Sequence, residues 1–301
     1  MQCSPRGAST AARFAPDGRS GLDRNEVRFH RNTQPLIVPI MDQLLHFQGF
    51  GEGDRSVILL HGLFGLSANL GPLARELARD YRVLVPDLRN HGRSFHAAAM
   101  NYPLMAADVL RLMDTAGIAR AALIGHSMGG KVAMQAALDH PGRIERLLVA
   151  DIAPIDYPPH HRLLLAALRE ADADFLADRK RTREILEARI DEPGVVALML
   201  MNRTRREDGS WHWRFNLDAI ERDYAQILAA PCAEQPYPGP VLFLKGERSE
   251  YILPAHLEPT RRLFPGARLK IVAGAGHWLH AEKPLVFLRL AGDFLREDPA
   301  R

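Results

Sequence analysis

Short apolar runs separated by longer amphipathic stretches make up the hydrophobic pattern of this chain. The runs are too short for helices and apolar throughout, which is typical of strands buried on both faces of a sheet. Helical spacing between them implies right-handed crossover connections. The sequence therefore predicts an α/β fold with a mostly parallel central sheet flanked by helices. The predicted strands are Leu44–Gln48, Ser56–Leu60, Arg82–Val85, Ala121–Ile124, Arg146–Ala150, Val241–Leu244 and Leu269–Val272.

The alternation of strands and helices stops after Asp151. We predict that residues 155–235 form a helical cap, inserted into an α/β core made of residues 41–154 and 236–301. The apolar side chains of this cap either line a binding pocket or form the cap's own core. They include Leu198, Leu200, Met201, Trp211, Trp213 and Phe215. Charged faces and no convincing strand accompany the predicted helices of the cap, which are His161–Glu170, Ala173–Arg189 and Val195–Met201.

Residues 1–40 are rich in Arg, Ser, Gly and Pro without periodicity, so we predict a disordered N-terminal tail. The tail holds six Arg and three acids, which accounts for the whole net charge of +3. The remainder of the chain is therefore neutral overall, and no nucleic-acid partner is expected. An alternative is that Met41 is the true start of the protein. In either case we expect deletion of residues 1–40 to leave activity intact.

Cysteine usage and hydropathy bear on the compartment in which the protein works. Of the two cysteines, Cys3 lies in the predicted tail and Cys232 in the cap, so we expect no structural disulfide and a reducing, cytoplasmic location. No apolar run reaches the roughly 18 residues needed to span a membrane. The N-terminal residues lack the apolar core of a secretory signal. We expect no membrane partner, and a monomer or a small homo-oligomer.

The candidate chemistry begins at Gly125-His126-Ser127-Met128-Gly129, between the strand Ala121–Ile124 and a helix predicted over Lys131–His140. A G-x-S-x-G pattern in that setting is typical of a sharp turn that exposes the serine hydroxyl. Glycines are needed on both sides because a Cβ there would collide with the neighbouring strand and helix. We predict that Ser127 is a nucleophile. His126 is interpreted as structural, with its side chain pointing away from the serine.

A serine hydroxyl needs a base within hydrogen-bond reach, and histidine suits neutral pH. His277 follows the last predicted strand in a Gly-Ala-Gly loop, and of thirteen histidines it is the one at a strand end after the serine. We predict that it is the base. The developing oxyanion needs backbone N–H donors. We assign them to Met128, directly after the nucleophile, and to Leu63, in the loop after the strand that ends at Leu60.

The remaining polar residues at strand ends have a structural interpretation. His61 and His91 are expected to support loop geometry, and Asp87 to brace the turn that contains Arg89 and Asn90. The histidine pairs of the chain lack further ligands at the spacing of metal sites, so we predict no metal.

The whole set of motifs resembles the α/β-hydrolase superfamily over about residues 41–297, and most closely its YbfF-like bacterial esterases. The resemblance implies a cofactor-free hydrolase of esters or thioesters with short to medium acyl chains. Ser127 matches the family's nucleophile and His277 its histidine. The strings that carry the resemblance are LLHGLFG, RNHGRS, NYP, GHSMGGK, ADIAP, WRFN and AGAGHWLHAEKP.

The acid of the triad is where this chain departs from most of the superfamily. Most members have a Gly-x-x-Asp pattern after the strand that corresponds to Val241–Leu244, whereas this chain has serine at the fourth position, Ser249. Asp151 ends the strand after the serine turn, and the YbfF-like branch is similar there. We predict Asp151 as the acid, with Glu247 or Glu250 as the alternative. Ser249 is expected to add a hydrogen bond to the histidine.

The sequence leaves other activities open. A carbon–carbon bond hydrolase or a lactonase can use the same triad, and a non-catalytic ligand receptor can share the fold. The presence of both Ser127 and His277 favours the enzyme. A serine nucleophile also disfavours the epoxide hydrolases and haloalkane dehalogenases, which use aspartate. The predicted partner is a small-molecule acyl ester or thioester.

Overall fold

A computed structural model describes residues 43–174 and 178–297 of the chain. The predicted tail, residues 1–40, lies outside the described residues, and its disorder stays a prediction. The strands are β1 (Phe47–Phe50), β2 (Ser56–Leu60), β3 (Arg82–Pro86), β4 (Ala121–His126), β5 (Ile144–Ala150), β6 (Arg203–Arg205), β7 (Trp211–Trp213), β8 (Val241–Gly246) and β9 (Ala267–Val272).

The helices fill the stretches between these strands. Local signals start some of them: the side chain of Asn101 accepts a hydrogen bond from Leu104 N (3.0 Å) ahead of α2, and Pro103 stands in the first turn. The helices are α1 (Gly71–Leu77), α2 (Tyr102–Thr115), α3 (Met128–Asp139), α4 (Arg162–Ala173), α5 (Arg179–Glu187), α6 (Pro193–Asn202), α7 (Leu217–Arg222), α8 (Tyr224–Leu228), α9 (Leu257–Leu263), α10 (Leu279–Glu282) and α11 (Pro284–Arg296).

Seven of the strands form one sheet in the order β1-β3-β2-β4-β5-β8-β9. All neighbours pair in parallel except β1, which runs antiparallel to β3 at one edge. The prediction of a mostly parallel sheet is therefore confirmed. Because the strands β2, β4, β5 and β8 lie side by side, the loops that follow them meet at one end of the sheet.

Helices cover the sheet on both faces. Along β2, Ile58 and Leu60 belong to a buried cluster with α2 and α3, whereas Val57 and Leu59 belong to a second cluster with α1 and α11. All four side chains are fully buried. A strand enclosed on both sides is apolar at every position, which is why the sequence pattern does not alternate there.

The first strand differs from its prediction. The structure has β1 at Phe47–Phe50 instead of Leu44–Gln48. Pairing with β3 decides this, because the antiparallel register joins Phe47 to Pro86 and Phe50 to Val83. At the edge of the sheet, the partner strand sets the limits of a short strand more strongly than its own apolar residues do.

The segment 155–235, which we call the cap segment, differs from its prediction in two respects. It contains a two-stranded antiparallel ribbon, β6 with β7, where no strand was expected. The ribbon is closed by a loop in which Gly209 takes a positive φ of 88°, and the Asp208–Gly209 pair was its sequence signal. The helix predicted over Ala173–Arg189 is also wrong, because α4 extends to Ala173 and α5 begins only at Arg179.

The cap segment belongs to the same compact unit as the sheet. Within the ranges that the structure describes, no helix combines the length and the apolar character that a membrane crossing requires.

Candidate active site

Ser127 lies in a sharp turn between β4 and α3. Its backbone has φ 52° and ψ −124°, in the region that favours glycine. Its N–H donates to Ala150 O (3.0 Å) on the neighbouring strand β5, and its carbonyl accepts from Gly130 N (2.8 Å). A non-glycine residue held in this conformation by its surroundings is typical of functional sites.

The two glycines of the turn allow its close packing. A Cβ built on Gly125 would lie 2.2 Å from Gly129 O, and one on Gly129 would lie 2.4 Å from Leu60 O. Both contacts are with backbone atoms, which cannot move aside without disrupting the strand or the helix. The glycines are therefore needed for the reason that the sequence indicated.

His277 and Asp151 contact each other directly. The imidazole Nδ1 lies 2.8 Å from Asp151 Oδ2, and the aspartate is fully buried at the end of β5. Gly246 N donates to the other carboxylate oxygen at 2.9 Å, and Ser249 Oγ donates to Oδ2. Because the carboxylate oxygen accepts this hydrogen bond, Nδ1 donates it and carries a proton, which leaves Nε2 as the nitrogen of the predicted base.

The alternative acids lie elsewhere. Glu247 is exposed and accepts a hydrogen bond from Gly274 N (2.7 Å), and Glu250 is exposed as well. The expectation for Ser249 is wrong, because its hydroxyl donates to the Asp151 carboxylate and not to the histidine. The serine at this position thus contacts the carboxylate of Asp151, which is the predicted acid.

The ring and the backbone of His277 are held by two further residues. Tyr251 stacks on the imidazole with ring centroids 4.0 Å apart and planes 20° from parallel. His126 Nε2 donates to His277 O at 2.8 Å. Burial lowers the pKa of His126 well below its usual value, so this ring is neutral. The structural interpretation of His126 fits this contact, whereas the stacking of Tyr251 had no signal in the sequence.

The link between the serine and the histidine is less direct than that between the histidine and the aspartate. Within the described part of the chain, no hydrogen bond joins the Ser127 hydroxyl to His277, so this step of the triad stays a prediction. Ser127 and Tyr251 line the same pocket, which brings the serine to the side of the sheet where Tyr251 stacks on His277. Hydrogen bonds at catalytic centres often shorten only when substrate is bound.

The predicted oxyanion donors lie beside the serine. Met128 is the first residue of α3, where backbone N–H groups have no partner within the helix. Leu63 lines the same pocket as Ser127 and Met128. A Cβ on Gly62 would lie 3.2 Å from the Cβ of Ser127, so the loop after β2 passes close to this serine.

The sequence of this chain is similar to those of known proteins. The family model for the alpha/beta hydrolase fold matches residues 55–185. The chain is 35% identical to the sn-1-specific diacylglycerol lipase ABHD11 of Mus musculus, over 97% of this chain and 94% of the relative. It is 37% identical to the esterase YbfF of Escherichia coli (strain K12), over 80% of this chain and 93% of the relative. This chain belongs to the α/β-hydrolase family.

A solved structure agrees with these sequence relatives. A marine microorganism esterase superposes with a TM-score of 0.81 at 37% identity, covering 84% of this chain and 99% of that one. The resemblance to the superfamily and to its YbfF-like branch is confirmed. The protein is a hydrolase of the esterase and lipase type, which acts on carboxylic esters.

Two buried histidines shape the loops of this hydrolase around the serine. His61 Nδ1 donates to Gly62 O (2.8 Å) while its Nε2 accepts from Leu88 N (3.0 Å). His91 Nε2 accepts from Phe64 N at 3.1 Å. Burial lowers the pKa of His61, and it lowers that of His91 to about 3. Both rings are therefore neutral, as one donor and one acceptor per ring require.

Asp87 holds the same loops through hydrogen bonds from their backbone N–H groups. Its carboxylate accepts from Ser67 N (2.7 Å) and from Arg93 N (2.9 Å). Burial opposes ionisation, but these backbone donors lower the pKa of Asp87 overall. The residue braces the turn as predicted, although Arg89 pairs with another acid, Asp108.

Sequence reasoning missed most of the pocket wall of this hydrolase, and the six apolar cap residues named from the sequence do not line this pocket. Several of the lining residues come from the cap segment, whose position over the sheet cannot be read from periodicity. The pocket is lined by Leu63, Tyr102, Ser127, Met128, Lys131, Ile152, Tyr157, His160, His161, Ile227, Leu228 and Tyr251.

The described residues hold no group of three or more His, Cys, Asp or Glu arranged for a metal ion.

Proposed function

We propose that this hydrolase cleaves carboxylic esters or thioesters with short to medium acyl chains through a Ser127–His277–Asp151 triad. The observation that carries the proposal is the 2.8 Å contact between His277 Nδ1 and the fully buried carboxylate of Asp151. It fixes the tautomer in which Nε2 can take a proton. The strained turn that presents Ser127 supports the same conclusion.

In the acylation step, Ser127 Oγ attacks the carbonyl carbon of the ester while His277 Nε2 takes the hydroxyl proton. The backbone N–H groups of Met128 and Leu63 stabilise the negative charge on the carbonyl oxygen. The tetrahedral intermediate then collapses, and His277 gives its proton to the departing alcohol or thiol. Asp151 stays ionised and stabilises the imidazolium in between.

In the deacylation step, water replaces the alcohol. His277 Nε2 takes a proton from the water as its oxygen attacks the acyl-enzyme carbonyl, and it returns that proton to Ser127 Oγ as the bond to the acyl group breaks. The products are a carboxylic acid and the free enzyme. No cofactor takes part in either step.

The pocket supports acyl chains of limited length. Its lining is mainly apolar and its cavity volume is only about 30 Å³. The aliphatic part of this lining consists of Leu63, Met128, Ile152, Ile227 and Leu228. A small apolar pocket supports short to medium acyl groups over long fatty acyl groups.

Hydrolysis of p-nitrophenyl acetate, butyrate and octanoate tests this proposal. We expect turnover by the wild-type protein, and a loss on the order of 10⁶-fold in kcat for Ser127→Ala. A fluorophosphonate probe should label the folded wild-type protein at Ser127. Absence of both labelling and ester turnover above the mutant background would instead favour a ligand receptor on the same fold.

A second candidate substrate comes from the relative that is named as an sn-1-specific diacylglycerol lipase. Because that relative matches nearly the whole chain, a diacylglycerol belongs in the same substrate series. Release of the sn-1 fatty acid at a higher kcat/KM than butyrate would favour this candidate. A lactone tested in parallel addresses the lactonase alternative.

We also propose a cytoplasmic location and a monomeric or small homo-oligomeric state. The composition supports the first, because the sequence offers no structural disulfide. Cell fractionation and light scattering of the purified protein test the two statements separately.

A further inference from the structure

Lys131 is a buried cation that the proposed mechanism does not use. It lies in the first turn of α3, four residues after Ser127, and its side chain is 1% exposed. It lines the same pocket as the serine. Isolated charges are rarely buried to this extent, because removing an ammonium from water is costly unless protein groups replace the water.

Three backbone carbonyls replace water around the ammonium of Lys131. Nζ donates to Ile155 O (2.8 Å), to Leu228 O (2.8 Å) and to Ala229 O (2.6 Å). An ammonium has three N–H donors, and each of them has an acceptor here. The arrangement is therefore specific for a primary ammonium.

The three acceptors come from the two ends of the cap segment. Ile155 is its first residue, and Leu228 and Ala229 lie where it returns toward β8. The two ends also bond to each other, through Tyr157 N to Leu228 O (3.0 Å) and Ala230 N to Asp156 Oδ1 (2.7 Å). Lys131 thus bonds α3, the helix that follows Ser127, to the two points at which the chain enters and leaves the cap segment.

Aromatic rings complete the surroundings of this ammonium. Nζ lies 4.7 Å from the ring centroid of Tyr157 and 5.6 Å from that of Tyr102, both of which line the pocket. Burial lowers the pKa of Lys131 to about 7, and the charge of Asp156 opposes this shift. The ammonium is held by carbonyl dipoles and ring faces rather than by an ion pair, so its position depends on the cap backbone.

We propose that Lys131 is a positioning residue that fixes both ends of the cap segment to the nucleophile helix and so sets the fit of the pocket for the acyl group. The proposal rests on the ester hydrolysis proposed above. Loss of the ammonium frees Leu228 and Tyr157, which are pocket walls, but leaves Ser127 and its turn in place. The effect therefore falls on substrate binding and not on the chemical step.

The chain offers a matched control on the same helix. Gln135 lies one turn further along α3 and is also buried. Its side chain donates to Cys232 O (2.9 Å) and accepts from Cys232 N (3.1 Å), so it too joins α3 to the end of the cap segment. Gln135 does not line the pocket. A role in stability alone would make both residues equivalent, whereas a role in the pocket distinguishes them.

The test compares Lys131→Met and Gln135→Met on p-nitrophenyl acetate, butyrate and octanoate, with thermal unfolding of each variant. For Lys131→Met we expect KM for the longer esters to rise on the order of tenfold, with kcat within about threefold of wild type. For Gln135→Met we expect a lower Tm and an unchanged KM. Lys131→Gln keeps an N–H donor, and its KM should fall between those of Lys131→Met and wild type.

Each outcome decides the proposal. Equal KM for wild type and Lys131→Met overturns it, and so does a loss confined to kcat or a KM change of the same size in Gln135→Met. Should Lys131→Met not fold, Lys131→Gln is compared with wild type by the same criterion. A wild-type protein that hydrolyses no ester refutes the proposed function instead, which keeps the two failures distinguishable.

Discussion

At the scale of single residues, Ser127 and Asp151 share an unusual backbone. Both have a positive φ, 52° and 55°, and both directly follow strands that are neighbours in the sheet. Each also extends the ladder by one bond: Ser127 N donates to Ala150 O, and Asp151 N donates to Leu244 O. The adjacent strand therefore holds each residue in a conformation that costs of order 1–3 kcal/mol in isolation. The same kind of strain therefore marks the proposed nucleophile and its proposed acid.

The assignment of the acid leads to a prediction at this scale. Asp151→Asn should lower kcat on p-nitrophenyl butyrate by roughly 10³–10⁴-fold, because the amide no longer fixes the tautomer of His277 or stabilises its charged form. Glu250→Gln is the control and should leave kcat within about twofold, since Glu250 is exposed. Loss of turnover in the control variant alone would show that the acid is misassigned.

At the scale of elements, the turn between β4 and α3 works because two backbones come almost into contact. Gly129 brings the first turn of α3 against the end of β2, and Gly125 brings β4 against α3. The same packing places Met128 N and the loop after β2 on the side of Ser127. One pair of glycines thus determines both the strain at Ser127 and the position of the proposed oxyanion donors.

The tight contact at Gly129 gives a prediction about stability. Gly129→Ala should destabilise the protein by at least about 3 kcal/mol, because its Cβ would lie 2.4 Å from Leu60 O. Thermal unfolding should show a Tm lower by roughly 10 °C. Gly142→Ala is the matched control: no atom lies within 4 Å of that Cβ, so its Tm should stay within about 2 °C. Equal Tm values for the two variants would contradict the packing argument.

At the scale of the whole molecule, several histidines are buried as neutral rings. His61, His91 and His126 lie under the loops at the carboxyl ends of the strands, and burial lowers the pKa of each. In His61 and His91, one ring nitrogen accepts a hydrogen bond from a backbone N–H group, which only a neutral ring can do. In His126, burial favours the neutral ring. The loops around the serine therefore depend on rings that must stay unprotonated.

This dependence predicts acid sensitivity of the fold. Between the folded pKa of His91, about 3, and the ordinary value near 6.5, the unfolded chain binds more protons than the folded one. Stability is therefore complete above about pH 6.5 and falls as the pH drops below it. Tm should decrease from pH 7 to pH 5, a range in which most carboxylates stay ionised.

Two variants test the origin of this acid sensitivity. In His91→Gln, the slope of Tm against pH between 7 and 5 should be smaller, because one buried ring that titrates on unfolding is gone. His96→Gln removes an exposed histidine and should keep the wild-type slope. Identical slopes in all three proteins would mean that other groups cause the acid sensitivity.

The sequence by itself determined the sheet, the serine turn and the residues brought to the strand ends. Uninterrupted apolar runs can be satisfied only by strands buried on both faces, and parallel strands bring the residues that follow them to one edge. The placement of Ser127, Asp151 and the loop of Leu63 at strand ends could therefore be predicted from order along the chain, whereas the choice of Asp151 as the acid also rested on the resemblance to the YbfF-like branch. The glycines at 125 and 129 could be predicted as well, since their requirement is local.

Tertiary structure decided what depends on contacts between distant segments. The partner strand β3 set the limits of β1, and packing over the sheet decided which cap residues face Ser127. The contacts of Ser249 with Asp151, of Tyr251 with His277 and of Lys131 with both ends of the cap join segments that are far apart in sequence. Periodicity predicts on which face of its helix or strand a residue lies. It does not predict which other element packs against that face, because the packing of the whole chain decides this.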